Sequence, residues 1–441
     1  HRDLHSFPTR RSSDLMTRAY HEARNIIKKH VNASEKDVMV LAGSGMTGAV
    51  NKFQRILGLK IYERVNDYLE LSSTKVNFKP NARPVVFITH MEHHSNHTSW
   101  LETIADVEII HPDHQGVADL NHLRELINKY SDRKFKIASV TACSNVTGIR
   151  TDYHQIAKLM HQAGGYCFVD FACSAPYVEI DMHPEDAEAH LDAIFFSPHK
   201  FLGGPGTEGI VIFNKSLYHN SVPDHPGGGT VTYTNPWAMH RYINDIEERE
   251  DGGTPPFLQA IKTALAIRLK EEMGSGNMLK REEEILGCIF SRMEKIKNLV
   301  VLAPKHKHRL GVISFYINNL HYNLGVKLLN DRFGIQTRGG CACAGTYGHF
   351  LLNVDQPTSL HILQEIERGN ISSKPGWIRL SIHPVMTNAE IDFIMDAIEQ
   401  LAANFEDWSK DYTYISCTNS FTHEKGSKAE TDKVKQWFAE K

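Results

Sequence analysis

Ala193-Ile194-Phe195-Phe196-Ser197-Pro198-His199-Lys200, continued by Phe201-Leu202-Gly203-Gly204-Pro205-Gly206, is the stretch on which the fold and chemistry of this chain turn. Four consecutive apolar residues without alternation predict a strand buried on both faces. A hydroxyl, an imidazole and an amine follow it directly, and then a glycine-rich turn. A lone lysine is ordinarily a solvated charge. A lysine leaving a buried strand for such a turn can be desolvated, which disfavours the ammonium and allows Schiff-base chemistry.

Outward from this point the chain alternates. Strands are expected at Val38–Leu41, Val85–Thr89, Val107–Ile110, Lys136–Thr141, Cys167–Asp170, Ala193–Phe196 and Gly209–Phe213. Between them lie helical patterns such as Gly48–Leu59, where Val50, Phe53, Ile56 and Leu57 share a face, and Tyr153–Ala163. Strands alternating with helices predict an α/β fold, a mostly parallel seven-stranded sheet covered by helices. After Thr254 the pattern changes. A helical stretch from Pro256 to Lys297 weakens at Gly274–Gly276. Strands at Gly311–Ile317 and Trp377–Ser381 and helices at Tyr322–Phe333 and Asn388–Phe405 then suggest a smaller α+β unit. The expected domains are a large one over 16–265 and a small one over 266–405, with a polar extension over 406–441. Residues 1–15, HRDLHSFPTRRSSDL, precede the first Met16, carry no apolar period and look extraneous to the fold.

Composition narrows the function. With 49 Lys+Arg against 52 Asp+Glu, the net charge of -3 gives no basic surplus for nucleic acid or an anionic membrane. No apolar run approaches the ~20 residues of a membrane span. The 7 cysteines among 441 residues are too few and too irregular for a disulfide scaffold. They read as thiols of a reducing cytoplasm.

Further groups fall at the ends of expected strands. Phe168-Val169-Asp170 closes one strand with a carboxylate. Most such aspartates cap or turn the chain, but in a pyridoxal phosphate enzyme an Asp must pair with the protonated pyridine nitrogen. Ala42-Gly43-Ser44-Gly45-Met46-Thr47 links a strand to a helix, where backbone N–H groups can hold a phosphate. It has neither the lysine of a P-loop nor dinucleotide-fingerprint spacing. Met91-Glu92-His93-His94-Ser95-Asn96 and Ser144-Asn145-Val146-Thr147-Gly148 follow two more strands. In a parallel sheet all these ends share the carboxyl edge, where ligands bind.

Together these residues resemble the class V aminotransferase family of fold-type I pyridoxal phosphate enzymes, and most closely its cysteine desulfurase/selenocysteine lyase branch, from about Tyr20 to Phe405. The resemblance implies pyridoxal 5'-phosphate as cofactor, with Lys200 as its Schiff-base lysine. It implies that His199, Ser197, Met46 (through its backbone) and Thr47 hold the phosphate. His93 would stack on the ring, Asn145 would bond its side, and Asp170 would bond the pyridine nitrogen. Thr254 in Gly252-Gly253-Thr254-Pro255 resembles the position that reaches a neighbouring subunit's phosphate, implying a homodimer with shared sites. Arg379 in Trp377-Ile378-Arg379-Leu380-Ser381 resembles the arginine that binds the substrate carboxylate. Cys173 stands where desulfurases have a Gln on the ring hydroxyl, and Pro198 where they have a small residue. The family's opening segment, before the helix that Tyr20–Val31 resembles, is not found, so the chain is expected to be a truncated copy.

Arg338-Gly339-Gly340-Cys341-Ala342-Cys343-Ala344-Gly345 separates the branches. Counted from Arg338, a further candidate for the substrate site, Cys343 falls where the desulfurases place the persulfide-forming cysteine. Cys341 is out of that register. The resemblance then implies that Lys200 moves the α-proton of L-cysteine and that the Cys343 thiolate takes the sulfur, leaving L-alanine. The persulfide would pass to an acceptor protein or a reductant. The HxxHHxxH spacing of His90, His93, His94 and His97, even with Cys341 and Cys343, lacks paired ligand knuckles, and no metal is assigned. The rivals are another class V reaction (transamination, epimerisation, selenocysteine or β-lyase chemistry), which would not need Cys343, and an inactive scaffold, which would be colourless.

Overall fold

The computed structural model describes residues 9–67, 79, 81–424 and 428–439. The chain forms two compact units, residues 1–144 with 150–279 and residues 145–149 with 280–441.

The first unit runs α1 (Thr9–His30), β1 (Asp37–Ala42), α2 (Gly45–Ile56), β2 (Val85–Thr89), α3 (His94–Leu101), β3 (Asp106–Ile110), α4 (Leu120–Lys129), β4 (Lys136–Thr141), α5 (Tyr153–Gln162), β5 (Tyr166–Asp170), β6 (Ala193–Phe196) and β7 (Gly209–Asn214). A small hairpin of β8 (Val231–Thr234) and β9 (His240–Tyr242) follows, then α6 (Ile246–Glu250) and α7 (Phe257–Met273). All the expected strands form, within a residue or so at their ends. They make a seven-stranded sheet in the order β1-β7-β6-β5-β4-β2-β3. Pairing is parallel from β6 to β3, whereas β7 is antiparallel to both β6 and β1. The reason is the glycine-rich link from β6 to β7. It contains no crossover helix, so the chain must return antiparallel. β1, β2, β4 and β6 are buried along their whole length, which is why their sequences are rich in apolar residues without strict alternation. Phe53 of α2 anchors one face, with its ring 5.2 Å from Phe168, 5.8 Å from Phe195 and 4.7 Å from Phe213.

The second unit contains the greater part of α8 (Ser275–Met293), then β10 (Leu299–Val301), β11 (Val312–Ile317), α9 (Tyr322–Phe333), β12 (Arg338–Gly340), α10 (Gly345–Leu351), α11 (Gln356–Glu367), β13 (Trp377–Ser381), α12 (Asn388–Trp408), β14 (Tyr412–Ile415) and β15 (Ser420–His423). Its sheet is antiparallel in the order β10-β11-β13-β12. Its core gathers Ile289, Phe290, Phe315, Leu328, Met395 and Leu401.

Several expectations change. The helix expected over Pro256–Lys297 breaks into α7 and α8 at Gly274, whose φ of 76° is outside the helical region. The boundary expected at 265/266 falls inside α7, which belongs wholly to the first unit. Phe257 packs on Tyr20, and Lys270 donates to the carbonyls of Ala175 and Val178. Residues 145–149 join the second unit, where Ser314 Oγ donates to Val146 O at 2.6 Å and Leu310 N–H to Gly148 O at 2.9 Å. The first helix does not wait for Met16. Thr9–Leu15 extend α1, because lengthening an existing helix costs far less than nucleating one. Residues 406–408 complete α12, and beyond them Tyr412 and Phe421 of the β14–β15 hairpin pack against the second core.

Candidate active site

In the first unit the cofactor residues of the sequence reading gather at one end of the parallel strands. Ser197 Oγ, just past β6, accepts the N–H of Met46 at the start of α2 at 2.8 Å. This ties two strand ends together around Gly45, whose φ is 66°. A Cβ on Gly45 would lie 2.4 Å from His199 Cε1 and 3.0 Å from Ser197 Oγ, so the hydroxyl, the imidazole and the first turn of α2 close on one small space. Hydroxyl and N–H donors at a helix N-terminus suit a phosphate. Thr47 Oγ1 lies 2.6 Å from Ser95 Oγ, and His93 caps α3 by accepting the Ser95 N–H through Nδ1 at 3.1 Å.

Asp170 ends β5 and is buried, with Oδ1 accepting the Ala172 N–H at 2.8 Å. Burial pushes its carboxyl up to about 6, opposed by that hydrogen bond and by the charge of Lys200. A buried carboxyl held short of partners suits a cationic N–H donor such as a pyridinium. Lys200 ends a 3-10 turn, Pro198–Lys200, and is itself exposed. The burial expected of it is not found, because the turn carries the chain four residues past the end of the buried strand. Cys173 is half-buried, and its Sγ–H donates to Ser144 O at 3.8 Å. Thr254 is exposed on a loop held by the Gly253 N–H to Gly228 O bond of 2.8 Å.

Glu92 was quoted in the sequence motif without a role. Its buried carboxylate accepts Thr89 Oγ1 at 2.7 Å, the Thr141 N–H at 2.8 Å and Asn96 Nδ2 at 2.8 Å, joining the ends of β2 and β4 to α3. Burial pushes it up to about 8, and the Asp170 charge adds to this. It therefore positions the loop that carries His93. A glutamate just after a strand carries no sequence mark of burial, so the residue types alone do not reveal it.

The second unit gathers the remaining candidates. Arg338 of β12 lies directly opposite Arg379 of β13, so two guanidinium groups share one face of the sheet. Like charges in that position are unfavourable unless an anion joins them, and a carboxylate is the natural one. Arg338 Nη2 also donates to Cys343 Sγ at 3.0 Å. Arg379 Nη1 donates to Asn145 O at 3.1 Å, and Asn145 Nδ2 donates to Ala342 O at 2.7 Å. Ala342 and Cys343 have φ of 51° and 58°, a left-handed pair without glycine that costs on the order of 1 kcal/mol per residue or more. The bonds from Asn145 and Arg338 hold this loop. Cys341 is half-buried in the same turn, its carbonyl accepting the Ala344 N–H at 3.0 Å.

The class-V aminotransferase family model matches residues 70–394. The chain belongs to that family. A probable cysteine desulfurase of Staphylococcus aureus is 26% identical over 408 residues, covering 91% of this chain and 84% of the relative. One of Staphylococcus epidermidis is 29% identical over 352 residues, covering 78% and 76%. Among solved structures, the apo cysteine desulfurase of Thermococcus onnurineus superposes with a TM-score of 0.69 at 23% identity, covering 92% of this chain and 87% of that one. A cysteine desulfurase of Escherichia coli gives a TM-score of 0.67 at 21% identity over the same shares. These two likenesses establish the fold, that of the fold-type I family.

Asp170 gives a test of this buried strand end that needs no substrate. A carboxyl raised from 3.8 to about 6 is neutral in both states at low pH. The folded, cofactor-free chain is then penalised as the pH rises from about 4 to about 6, and the penalty persists above that. It amounts to about 3 kcal/mol. Asp170→Asn is expected to be increasingly more stable than the parent between those pH values, as read by denaturant unfolding of both apoproteins, and to bind pyridoxal phosphate poorly. A stability difference flat with pH would show that this carboxyl is not forced to ionise in a buried site.

Proposed function

We propose that the chain is a pyridoxal phosphate-dependent cysteine desulfurase that converts L-cysteine to L-alanine and carries the sulfur on Cys343. The observation that carries this reading is the thiol of Cys343 held 3.0 Å from the Arg338 guanidinium, on the loop braced by Asn145. Family chemistry without sulfur transfer has no use for a thiol placed in this way.

The residues fit the cofactor. The space around Gly45, Ser197 and His199 would take its phosphate, His93 its ring face, Asp170 its pyridine nitrogen, and Lys200 its aldehyde. Asn145 Oδ1, buried and without a hydrogen-bond partner among the described residues, can accept a bond from the ligand side. When bound, pyridoxal phosphate supplies a carbonyl that condenses with amines and a ring that draws electrons from the amino acid's α-carbon. Asp170 would keep the ring nitrogen protonated by pairing with it. Lys200, exposed just past the end of β6, would take the α-proton and return a proton to the product carbon. Arg379 and Arg338 would hold the substrate carboxylate, and the Cys343 thiolate would attack the substrate sulfur, forming the S–S bond as the Cβ–S bond breaks and its electron pair stays on Cβ to take the proton of the alanine methyl group.

The rest of the reading has narrower support. All 7 cysteines are free, which accords with a reducing cytoplasm. No described helix is long and apolar enough to cross a membrane. The Thr254 loop is exposed, as a contact to the phosphate of a second copy in a homodimer would require. A persulfide on Cys343 calls for a sulfur-acceptor protein or a small reductant.

The deciding experiment is release of alanine and sulfide from L-cysteine, with pyridoxal phosphate and a thiol reductant present. No release from a protein that still binds the cofactor would overturn the substrate assignment. Within this assay, Arg379→Ala is expected to raise KM for L-cysteine about 10- to 100-fold, with a smaller change in kcat, because a charge-assisted bidentate contact is lost. An unchanged KM would place the carboxylate elsewhere.

A further inference from the structure

Cys343 lies in a segment that has little to hold itself. Its turn has one internal backbone hydrogen bond, from the Ala344 N–H to Cys341 O at 3.0 Å, set against the left-handed φ of 51° and 58° at Ala342 and Cys343. The helix that follows, α10, is only 7 residues long, and its N-cap Ala344 gives no side-chain bond to the first turn. Helices shorter than ~12 residues are marginal unless other elements pack on them. The position of the thiol is therefore set from outside the loop.

The outside support lies within the second unit, in residues 145–149. This segment is itself firmly seated. Val146 O accepts the Ser314 hydroxyl of β11 at 2.6 Å, Gly148 O accepts the Leu310 N–H at 2.9 Å, and Asn145 O accepts Arg379 Nη1 of β13 at 3.1 Å. Gly148 has a φ of 70°, and a side chain there would run into the Leu310 carbonyl. From this rail two contacts reach the loop, one on either side of Cys343. Asn145 Nδ2 donates to Ala342 O at 2.7 Å, one residue before the thiol. The hydroxyls of Thr147 and Tyr347 lie 3.1 Å apart, four residues after it, and both residues are buried. Beside Tyr347, a Cβ on Gly348 would lie 3.2 Å from the Trp377 ring of β13. So α10 sits on β13 at its glycine and is tied to the rail at its tyrosine. The Asn145 contact alone would let the turn pivot about Ala342, and the second contact removes that freedom.

We propose that Tyr347, through its hydroxyl on that of Thr147, is a positioning residue for the thiol of Cys343. It fixes where the sulfur stands and takes no part in making or breaking bonds. This role rests on the sulfur-transfer reading above. Attack on a substrate sulfur demands close alignment, and a thiol misplaced by about 1 Å can cost up to ~10²-fold in rate. Cofactor and substrate carboxylate are assigned to other side chains, so loss of the tie should appear in kcat and leave KM in place.

The test compares the full parent chain with Tyr347→Phe, Thr147→Val, the two together and Thr147→Ser, each loaded with pyridoxal phosphate. For alanine release from L-cysteine, kcat is expected to fall about 10-fold in Tyr347→Phe and in Thr147→Val, with KM and the cofactor absorption band near parental. The double variant should lose no more than either single one, because the same contact is removed in all three. Thr147→Ser keeps a hydroxyl and should keep most of the rate. Hydrogen exchange without substrate, read by mass spectrometry, should quicken about 10-fold over residues 341–348 in Tyr347→Phe and stay parental in α12. If Tyr347→Phe fails to fold, Thr147→Val decides. A parent that binds the cofactor but releases no alanine would overturn the sulfur-transfer reading and this role with it. An active parent whose kcat is unchanged in the variants, or whose KM rises while kcat is kept, would overturn the positioning role alone.

Discussion

Lys200→Ala is expected to abolish the visible absorption that pyridoxal phosphate acquires when attached to a protein amine, and to lower alanine release from L-cysteine by ~10³-fold or more. The expectation rests on position. Lys200 leaves the end of β6 beside the Ser197–His199–Gly45 space, and its charge is felt by the buried Asp170 carboxyl. Lys270, also of the first unit, competes on chemical grounds. Burial lowers the Lys270 ammonium to about 8, which would make it the readier nucleophile. Its hydrogen bonds exclude it. Lys270 Nζ already meets Ala175 O at 2.7 Å, Val178 O at 2.5 Å and His30 Nε2 at 3.0 Å, which uses all three donors in a structural cap. Lys270→Ala should therefore destabilise the fold and leave the absorption band in place. A small exogenous amine should restore part of the turnover in Lys200→Ala, since it can replace the lost base while the cradle stays intact. An unchanged band in Lys200→Ala would remove Lys200 from its role.

The strand ends were legible because physics writes them plainly. A strand buried on both faces needs an unbroken apolar run, and a parallel sheet puts the residues after such runs on one edge. Asp170, His93, Ser197, His199 and Lys200 could be read in this way. What escaped was set by partners distant in sequence. β12 is Arg-Gly-Gly, which has no strand propensity of its own and exists only by pairing with β13. The juxtaposition of Arg338 and Arg379 is therefore invisible until the register is known. Asn145 reads as a strand-end residue, yet its bonds run to Ala342 of the Cys343 loop and to Arg379 of β13. The polar tail gave no apolar period, because its hairpin contributes specific contacts instead. Asn419 Nδ2 donates to the Tyr322 hydroxyl at 2.8 Å, and Asn323 Nδ2 donates to Asn419 O at 2.5 Å. The Tyr322 ring in turn packs so closely on Gly376, beside Gly340, that a Cβ on Gly376 would lie 2.6 Å from it. The tail thus braces the chain on which Cys341 and Cys343 are carried.

Cys343→Ala should leave the absorption band of the bound cofactor unchanged while alanine and sulfide release fall about a hundredfold or more, as happens when the nucleophile is taken from a catalytic unit. The separation of the two readouts matters, since the proposed function assigns cofactor binding to residues of the first unit and sulfur removal to a thiol of the second. Cys341→Ser is the control on the same turn. Arg338 Nη2 lies against Cys343 Sγ, and the left-handed pair Ala342–Cys343 is held by the bond from Asn145 to Ala342 O, so the loop's strain and its nearest positive charge both serve Cys343. Cys341→Ser should accordingly keep most of the activity. Loss in Cys341→Ser with retention in Cys343→Ala would reverse the assignment within the loop. Retention in both would show that sulfur leaves without a protein thiol, by elimination at the cofactor, and the strained loop would then need another explanation. Alkylation with iodoacetamide gives an independent reading. In the Cys341→Ser protein, one modified thiol on this loop should remove turnover, and L-cysteine added beforehand should leave that thiol carrying an extra sulfur detectable by mass spectrometry.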